Sequence, residues 1–335
     1  MNILVTGGTG GIGRTVAARL AAGGHSVRAA DVKAEEHPIA GVEYVTCDIT
    51  DFAQARAAVR GAQAVAHLAA IPNPSLGTGP EIYRVNCAGT FNIFEAAAQE
   101  GIRRVAQASS INAFGNGYGV HPVPLHYFPI DEAHPTYTSD PYSFSKESVE
   151  AIAAYYWRRE GISSTSLRMP FVIAFDERFE FMRQGADMFR QSLETLLSAP
   201  PERQRAMAEK VHAMTAQMRA ERQGEKPWTG EFDGEFDPEL MVGFGCTDFW
   251  TMLAVDDAAL AFERSLLAAF EGSHPLFVCQ RENSTGAESE ALLRVFYPEV
   301  TARKRPIPGA AAIVSYDRAR DLIGFEPEIL VREKL

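Results

Sequence analysis

Short apolar runs alternate with helical segments through the first half of the chain. Turn residues bound these runs, and both faces of each run are apolar, as in strands buried inside a parallel sheet. The alternation predicts an α/β fold of the Rossmann type, with a doubly wound parallel sheet and helices on both of its faces. We predict strands at 2–6, 26–32, 42–48, 62–70, 103–110 and 163–173, and helices at 12–22, 51–60, 80–99 and 142–159.

The pattern changes at about residue 176. A charged helical stretch at 186–222 is interrupted by two prolines, and a loop rich in glycine, proline and acids follows at 224–239. Regular structure is expected again from about 247. We therefore divide the chain into a nucleotide-binding Rossmann domain, a helical insert that could cover the substrate pocket, and a smaller C-terminal substrate lobe. These regions are 1–175, 176–246 and 247–335.

The second half of the insert carries one narrow apolar stripe, formed by Met207, Val211, Met214 and Met218. Such a stripe is typical of a helix that packs on its own domain. A lid over the pocket and a contact between subunits are the alternatives.

The amino-acid composition limits the classes of partner that the protein is expected to bind. Lys and Arg number 32 and Asp and Glu number 43, so the formal net charge is −11. Nucleic acid and anionic membranes favour a basic face, so neither is expected as a partner. The chain has no long apolar run that would span a membrane, and its four cysteines form no metal-binding spacing. We expect a cytoplasmic protein without a metal site.

The first turn between a strand and a helix is glycine-rich. Glycines at this place allow a tight turn and let backbone amides approach a pyrophosphate at the helix N-terminus. Asp31 ends the second strand, where a carboxylate accepts hydrogen bonds from ribose hydroxyls and repels a 2′-phosphate. NAD is therefore preferred to NADP, although Arg14 and Lys33 are nearby cations. The predicted contacts of this turn are Gly7, Gly10, Gly11, Ile12 and Gly13.

Two further strand ends complete the predicted cofactor site. Asp48 and Ile49 end the third strand, where Asp48 either meets the adenine or caps the helix near 51–60. The small residues that end the fourth strand let the chain pass close to the nicotinamide ribose; they are Leu68, Ala69 and Ala70. His67 is interpreted as a hydrogen-bonded structural residue and not as a base.

Tyr142 and Lys146 lie four residues apart, on one face of a predicted helix. A Lys ammonium and an oxidised nicotinamide both favour the phenolate, and lowering the phenol pKa by about three units corresponds to roughly 4 kcal/mol. The phenolate can then take a proton from a substrate hydroxyl. Ser109 and Ser110 end the fifth strand, where a hydroxyl can bind the reacting oxygen.

Taken together, these segments resemble the extended short-chain dehydrogenase/reductase family, the NAD-dependent epimerases and dehydratases. The similar segments are TGGTGGIG, Asp31, HLAA, VN followed by GT, SSINAFG, PYSFSK, LRMP, VDDAA and LIGFEP. They cover about 1–175 and 247–335 and leave the insert unexplained.

The resemblance implies a role for each matching residue. Tyr142 would be the general base and acid, and Lys146 would hold the nicotinamide ribose and lower the pKa of the phenol. Ser110 would bind the substrate oxygen, Asn86 would lie near the cofactor, and Ser109 would line the nicotinamide side. Family members often form dimers through two long helices, one of which carries the Tyr and Lys, so a homodimer is expected.

Departures from the family pattern narrow the chemistry. Dehydratases usually carry an Asp-Glu pair after the catalytic hydroxyl, but Ile111 and Asn112 stand there, which disfavours water elimination. At the position where the epimerases carry an Asn that contacts the nucleotide diphosphate, this chain has Phe171. This difference disfavours a nucleotide-sugar substrate. The long loop between Gly115 and Tyr142 could line the pocket or lie on the surface; its histidines are His121, His126 and His134.

Three functions remain open. The first is an NAD-dependent oxidoreductase that transfers hydride between the cofactor and a secondary alcohol or ketone of a small, sugar-like substrate. The second is a sugar or nucleotide-sugar epimerase of the 4-epimerase type that retains its NAD. The third is a non-catalytic NAD-binding protein, which the intact Ser110, Tyr142 and Lys146 disfavour.

Overall fold

The computed structural model describes residues 1–221, 243 and 245–334. The strands in these residues are β1 Asn2–Thr6, β2 Ser26–Asp31, β3 Val42–Thr46, β4 Ala64–His67, β5 Arg104–Ala108, β6 Ser163–Arg168, β7 Phe171–Ile173, β8 Met252–Ala254 and β9 Ser273–Phe277. Within this described part, seven strands form one parallel sheet in the order β3-β2-β1-β4-β5-β6-β9, and β7 pairs with β8 in a small second sheet.

Helices connect the strands on both sides of the sheet. The helices are α1 Gly11–Ala22, α2 Phe52–Val59, α3 Gly79–Ile82, α4 Gly89–Gln99, α5 Pro141–Glu160, α6 Glu177–Leu197, α7 Pro201–Glu221, α8 Val255–Leu267, α9 Ser289–Phe296 and α10 Asp317–Ile323. Shorter 3₁₀ turns lie at Pro74–Leu76, Ile111–Phe114, Gly245–Asp248 and Val331–Glu333. No helix of the described residues combines the length and the apolar character that crossing a membrane requires.

The alternation of side chains along β1 explains why the sheet is covered on both faces. Ile3 and Val5 belong to a buried core that includes residues of α1 and α8. Leu4 points to the opposite core, which includes residues of α2, α4 and α5. Successive strand residues face opposite sides, so an uninterrupted apolar strand needs a helix layer on each side. The predicted Rossmann-type fold is confirmed.

Two predicted elements differ from the structure. The single strand expected at 163–173 is wrong, because it divides into β6 and β7, which belong to different sheets. Pro170 stands between them and lacks the backbone N–H that a continuing ladder needs. The helix expected at 80–99 runs from α3 to α4 through a π-helical turn at Tyr83–Ala88.

The insert forms two helices, α6 and α7, which are separated where the two prolines predict a break. Met207 and Val211 of the apolar stripe pack into a core that also contains Trp250 and Phe296 of the C-terminal part. Met214 is buried and Met218 is half-buried, so packing on its own domain is confirmed for this stripe. The acidic loop predicted at 224–239 lies outside the described residues, and the three-part division of the chain stays a prediction.

Candidate active site

A cavity of about 790 Å³ lies at the carboxyl ends of the central strands. Its wall runs from Asp31 at the end of β2, past the glycine turn after β1, to Ser110 after β5. The sheet order places the ends of β2 and β5 about 14 Å apart, because three strand spacings of about 4.8 Å separate them. The cavity is therefore long enough for an extended ligand that lies across the strand ends.

Close packing explains the glycine turn. Gly7 has a φ of +68°, and a Cβ there would lie 2.7 Å from the backbone nitrogen of Ala69. A Cβ at Gly13 would overlap the carbonyl oxygen of Gly7. At Gly11 no atom stands within 4 Å of the Cβ position, so the turn is open on the cavity side. All the predicted turn residues line the cavity: Gly7, Gly10, Gly11, Ile12 and Gly13.

Asp31 lies where a ribose-binding carboxylate is expected. It lines the cavity, and its oxygens accept hydrogen bonds from the backbone nitrogens of Thr9 at 3.2 Å and Lys33 at 3.3 Å. The nearby cation Arg14 forms an ion pair of 2.7 Å with Glu35. An acid therefore already engages the guanidinium that could otherwise attract a 2′-phosphate.

Asp48 and Ile49 also line the cavity, beyond the end of β3. Asp48 accepts hydrogen bonds from the backbone nitrogen and the hydroxyl of Thr50, both at 2.8 Å. The cap of α2 is Asp51, whose side chain accepts from the nitrogens of Ala53 and Gln54. Of the two roles that the sequence left open for Asp48, the helix cap is therefore wrong.

The segment after β4 forms the wall next to the glycine turn. Leu68, Ala69 and Ala70 line the cavity as predicted. His67 precedes them and is buried, with Nδ1 2.7 Å from the Thr6 hydroxyl and Nε2 2.9 Å from the Thr90 hydroxyl. Burial lowers the pKa of His67 to about 3, so the ring stays neutral. With both nitrogens engaged, His67 is a structural residue.

Asn86 is not part of the cavity wall. Its Oδ1 accepts from the backbone nitrogen of Ile71 at 2.7 Å, and its Nδ2 donates to the Ser145 hydroxyl at 2.9 Å. Ile71 lines the cavity, and Ser145 stands next to Lys146 in α5. The structure therefore places Asn86 behind the wall, where its hydrogen bonds link the loop after β4 to α5.

Tyr142 and Lys146 occupy one face of α5, as their spacing predicts. Asp140 caps this helix by accepting from the backbone nitrogen of Ser143 at 2.9 Å, which fixes the start of the helix just before Tyr142. The Lys146 ammonium lies 5.8 Å from the centre of the Tyr142 ring and donates to the carbonyl oxygen of Ala108 at 3.0 Å. Both side chains are buried and line the cavity.

Burial dominates the pKa of both Tyr142 and Lys146. Burial raises the pKa of Tyr142 well above its usual value, and the hydrogen bond to Ser110 opposes this rise only in part. Desolvation disfavours the phenolate, and the charges of Asp140 and Asp248 add to the rise. The lowered phenol pKa predicted from the sequence depends also on the oxidised nicotinamide and stays a prediction for the cofactor-bound protein. Burial also lowers the pKa of Lys146 to about 8.

Ser110 and Ser109 follow β5 and differ in role. The Ser110 oxygen accepts from the backbone nitrogen of Asn112 at 3.1 Å and hydrogen-bonds Tyr142. The Ser109 hydroxyl donates to Glu150 at 2.7 Å. Arg168 donates to the same carboxylate with hydrogen bonds of 2.9 and 2.7 Å. Ser109 therefore anchors the strand end to α5, although it also lines the cavity.

Sequence reasoning missed two residues of the cavity wall. Tyr118 packs edge-on against Tyr142, with 5.6 Å between ring centres, and Asp248 comes from the turn that precedes β8. No motif marks either residue, since both come from segments far from α5 in sequence. In the long loop Tyr118, not a histidine, lines the cavity; His121, His126 and His134 do not.

Neither α6 nor α7 contributes a described residue to the cavity wall. The prediction that the insert covers the pocket therefore concerns residues 222–242, which lie outside the described residues. Among the residues that the structure describes, no group of three His, Cys, Asp or Glu side chains could hold a metal ion.

A Rossmann fold with an open glycine turn and a buried Ser-Tyr-Lys group defines the class of the protein. The model of the NAD dependent epimerase/dehydratase family matches residues 3–193, more than half of the chain. The chain belongs to this family, and the resemblance found in its motifs is confirmed.

Curated relatives match about half of the chain. It is 31% identical over 173 residues to a uronate dehydrogenase of Pseudomonas putida, covering 50% of this chain and 59% of that protein. It is 31% identical over 194 residues to an L-arabinose 1-dehydrogenase (NAD(P)(+)) of Haloferax volcanii, covering 56% of this chain and 74% of that protein. The chain thus spans under two thirds of the uronate dehydrogenase's length.

A solved structure extends the likeness to the whole chain. A short-chain dehydrogenase/reductase superfamily protein from Agrobacterium tumefaciens, solved with bound NAD, matches with a TM-score of 0.62 and 21% identity. The match covers 100% of this chain and 95% of that one. At this identity the likeness shows the fold.

Proposed function

We propose that the chain is an NAD-dependent oxidoreductase that transfers hydride between the cofactor and a secondary alcohol or ketone of a sugar-like substrate. The observation that carries this proposal is the convergence of the Tyr142 phenol, the Ser110 hydroxyl and the Lys146 ammonium at one end of a cavity whose other end holds Asp31. The curated relatives named as sugar dehydrogenases support it.

The residues of the cavity fit NAD. The glycine turn presents backbone amides and the N-terminus of α1 to the cavity, which suits a pyrophosphate. Asp31 would accept from the adenosine ribose hydroxyls, and the Asp31 charge together with the Arg14–Glu35 ion pair favours NAD over NADP. Asp48 and Ile49 would border the adenine. Leu68, Ala69, Ala70 and Ser109 would border the nicotinamide half, where the oxidised ring, when bound, supplies the hydride acceptor.

Tyr142 would move the proton. In alcohol oxidation its phenolate takes the hydroxyl proton of the substrate as the carbon loses hydride, and in ketone reduction the phenol returns that proton to the oxygen. Ser110 would hold the same substrate oxygen by a hydrogen bond. Since burial raises the phenol pKa, the phenolate depends on the Lys146 charge and on the positive charge of the oxidised nicotinamide. Lys146 would also hold the nicotinamide ribose.

Incubation with NAD and candidate sugars tests the proposal. We expect NADH absorbance to grow in proportion to the sugar consumed. An epimerised sugar without accumulated NADH would replace this proposal with the epimerase that retains its NAD, which the family also contains. Bound NAD without any change in the sugar would leave a non-catalytic binding protein.

We also propose a homodimer formed through α4 and α5. Four large aromatic side chains on this side of the molecule are exposed: Tyr83, Phe91, Phe144 and Tyr155. Phe91 of α4 pairs with Tyr155 of α5, with ring centres 6.3 Å apart. Tyr83, in the π-helical turn before α4, pairs with Phe144 of α5, with ring centres 6.1 Å apart. Exposed aromatic side chains along two neighbouring helices are typical of a subunit contact.

Sedimentation of the intact chain tests the dimer. We expect a dimer for the native sequence and a monomer for Phe91→Glu combined with Tyr155→Glu. The exposed Leu76, changed to Glu, is the matched control and should leave the dimer intact. A native chain that sediments as a monomer at micromolar concentration would contradict the proposal.

The cysteines support a reducing compartment, and we propose the cytoplasm. All four, Cys47, Cys87, Cys246 and Cys279, are buried and free. Burial raises the pKa of each thiol, which keeps the unreactive protonated form. Fractionation of the source cells, followed by detection of the chain, would test this location.

A further inference from the structure

We propose that helix α7 of the insert positions the substrate end of the cavity, and that Arg219 of this helix does so by holding the loop at 116–121, here called the Tyr118 loop. Tyr118 then borders the substrate beside Tyr142, and Arg219 is a positioning residue that acts through Tyr118. The inference rests on the proposed function and deepens it, because it names residues that shape the substrate end and gives the insert a part in the reaction.

Tyr118 belongs to the cavity wall next to the group proposed to move the proton. Its ring meets that of Tyr142 edge-on, with 5.6 Å between the ring centres. It is half-buried and lines the same cavity as Tyr142 and Ser110. A tyrosine combines an apolar ring with a hydroxyl that donates and accepts hydrogen bonds, which suits a sugar with both C–H and hydroxyl groups. A shift of this ring would therefore change the space beside the reacting oxygen.

Arg219 binds the backbone of the Tyr118 loop at two places. Its guanidinium donates to the carbonyl oxygen of Asn116 at 2.9 Å and to that of His121. These two residues stand on either side of Tyr118 in the sequence, so one side chain holds both ends of the loop. The N–H groups of a guanidinium point in fixed directions, and a charged donor forms stronger hydrogen bonds than a neutral one. The position of the Tyr118 backbone thus depends on that of Arg219.

The Arg219 guanidinium is buried, since the residue is only 7% exposed. Burial lowers the pKa of Arg219, and the charge of Asp140, which caps the helix of Tyr142, is among the influences that oppose this fall. The group stays charged, because the pKa of an arginine remains far above neutral pH. A buried charge is costly unless it is hydrogen-bonded. The two hydrogen bonds therefore stabilise the guanidinium and the Tyr118 loop together.

Asn116 extends this contact to a second part of the cavity wall. While its carbonyl oxygen accepts from Arg219, its Nδ2 donates to the carbonyl oxygen of Thr247 at 2.7 Å. Thr247 is followed directly by Asp248, which lines the cavity. The Tyr118 loop and the turn before β8, which both supply side chains to the substrate end, are thus joined at Asn116.

Helix α7 is itself anchored to the C-terminal part of the chain. Met207 and Val211 are buried in a core that contains Phe296. The His212 ring nitrogen Nε2 lies 3.0 Å from the carbonyl oxygen of Phe296. Arg219 follows His212 by seven residues, about two turns of helix. The insert therefore connects a buried core to the Tyr118 loop, although its described residues do not line the cavity.

Arg219→Met tests the positioning through kinetics. NADH formation from NAD is measured with L-arabinose and D-galacturonate as probe sugars. We expect kcat/KM to fall about 10–100-fold, since a small misplacement of groups around a reacting centre has an effect of this size. NAD affinity should stay unchanged, because Asp31 and the glycine turn are untouched. Arg219→Lys keeps the charge and part of the hydrogen bonding, so it should recover part of the loss; it also serves if Arg219→Met does not fold.

A double-mutant cycle with Tyr118→Ala separates positioning from a general loss of structure. If Arg219 acts through Tyr118, Arg219→Met should change kcat/KM by less than about twofold in the Tyr118→Ala background. The exposed Arg205 of the same helix is the matched control, and Arg205→Met, which removes an equal charge, should leave kcat/KM at the native value. The full effect of Arg219→Met in both backgrounds, or an equal effect of Arg205→Met, would overturn the inference.

Hydrogen–deuterium exchange tests the same contact without turnover. Backbone amides of the Tyr118 loop should exchange faster in Arg219→Met than in the native chain, while those of β1 should not change. Unchanged exchange in the loop would overturn the inference, even where NADH formation upholds the proposed function. A native chain that forms no NADH with any candidate sugar would contradict the proposed function, and the exchange of the Tyr118 loop would then still decide whether Arg219 holds it.

Discussion

The two ends of the cavity are lined by different kinds of chemical groups. The cofactor end consists mainly of backbone and small side chains from the first strands, and its shape follows from close packing at Gly7 and Gly13. The substrate end consists of larger side chains from a long loop and from the turn before β8, such as Tyr118 and Asp248. The first end is therefore suited to one invariant ligand, whereas the second end can differ without disturbing the sheet.

Tyr142→Phe separates chemistry from cofactor binding and should have the largest effect. We expect kcat to fall about 10²–10⁴-fold, the range typical of losing a general acid or base. NAD affinity should change little, because Asp31 and the glycine turn are untouched. Initial rates and a fluorescence titration of the cofactor measure the two quantities. Retained activity at neutral pH would remove Tyr142 as the proton-transferring group.

Lys146→Met tests the substrate end of the cavity through the pH dependence of the oxidation rate. A cation stabilises the phenolate, so its loss raises the pKa of Tyr142 and moves the rise of the oxidation rate to higher pH. With the 5.8 Å between the ammonium and the ring centre taken as the charge separation and an effective dielectric constant of about 20, the interaction is about 3 kcal/mol, or about 2 pH units. Profiles at saturating NAD measure the shift, and Lys146→Arg, which keeps the charge, should move less. An unchanged profile in Lys146→Met would contradict this role.

Asp31→Ala perturbs only the adenosine end and should have a smaller effect. Loss of charged hydrogen bonds to the ribose should weaken NAD about 10–100-fold, while NADP, which cannot make both bonds, should change much less. Dissociation constants for both cofactors measure the difference. Lys33→Ala, next to the same strand end, controls for a general disturbance of the loop. Equal losses for NAD and NADP would show that Asp31 does not contact the ribose.

Local patterns predict the cofactor end well. Strand periodicity, the glycine turn and the acid after β2 are features of adjacent residues, and the structure places Asp31 and the turn in one cavity. The Tyr142–Lys146 spacing is also local, because a helix brings residues four apart to one face. The sequence therefore sufficed for the fold and for most of this wall.

The remaining features depend on tertiary contacts. Asp248 reaches the cavity from beyond the insert, and no periodicity in the sequence indicates that position. Asn86 was expected beside the cofactor, but its hydrogen bonds to Ile71 and Ser145 place it behind the wall. The pKa of Tyr142 depends on burial by several elements, which its spacing from Lys146 does not indicate.

A crystal structure with NAD bound tests most directly whether the two ends form one site. The account predicts that the adenosine ribose hydroxyls hydrogen-bond the Asp31 carboxylate and that the nicotinamide ring lies beside Tyr142, Ser110 and Lys146. NAD bound outside this cavity, or bound with the adenine beside Tyr142, would contradict it.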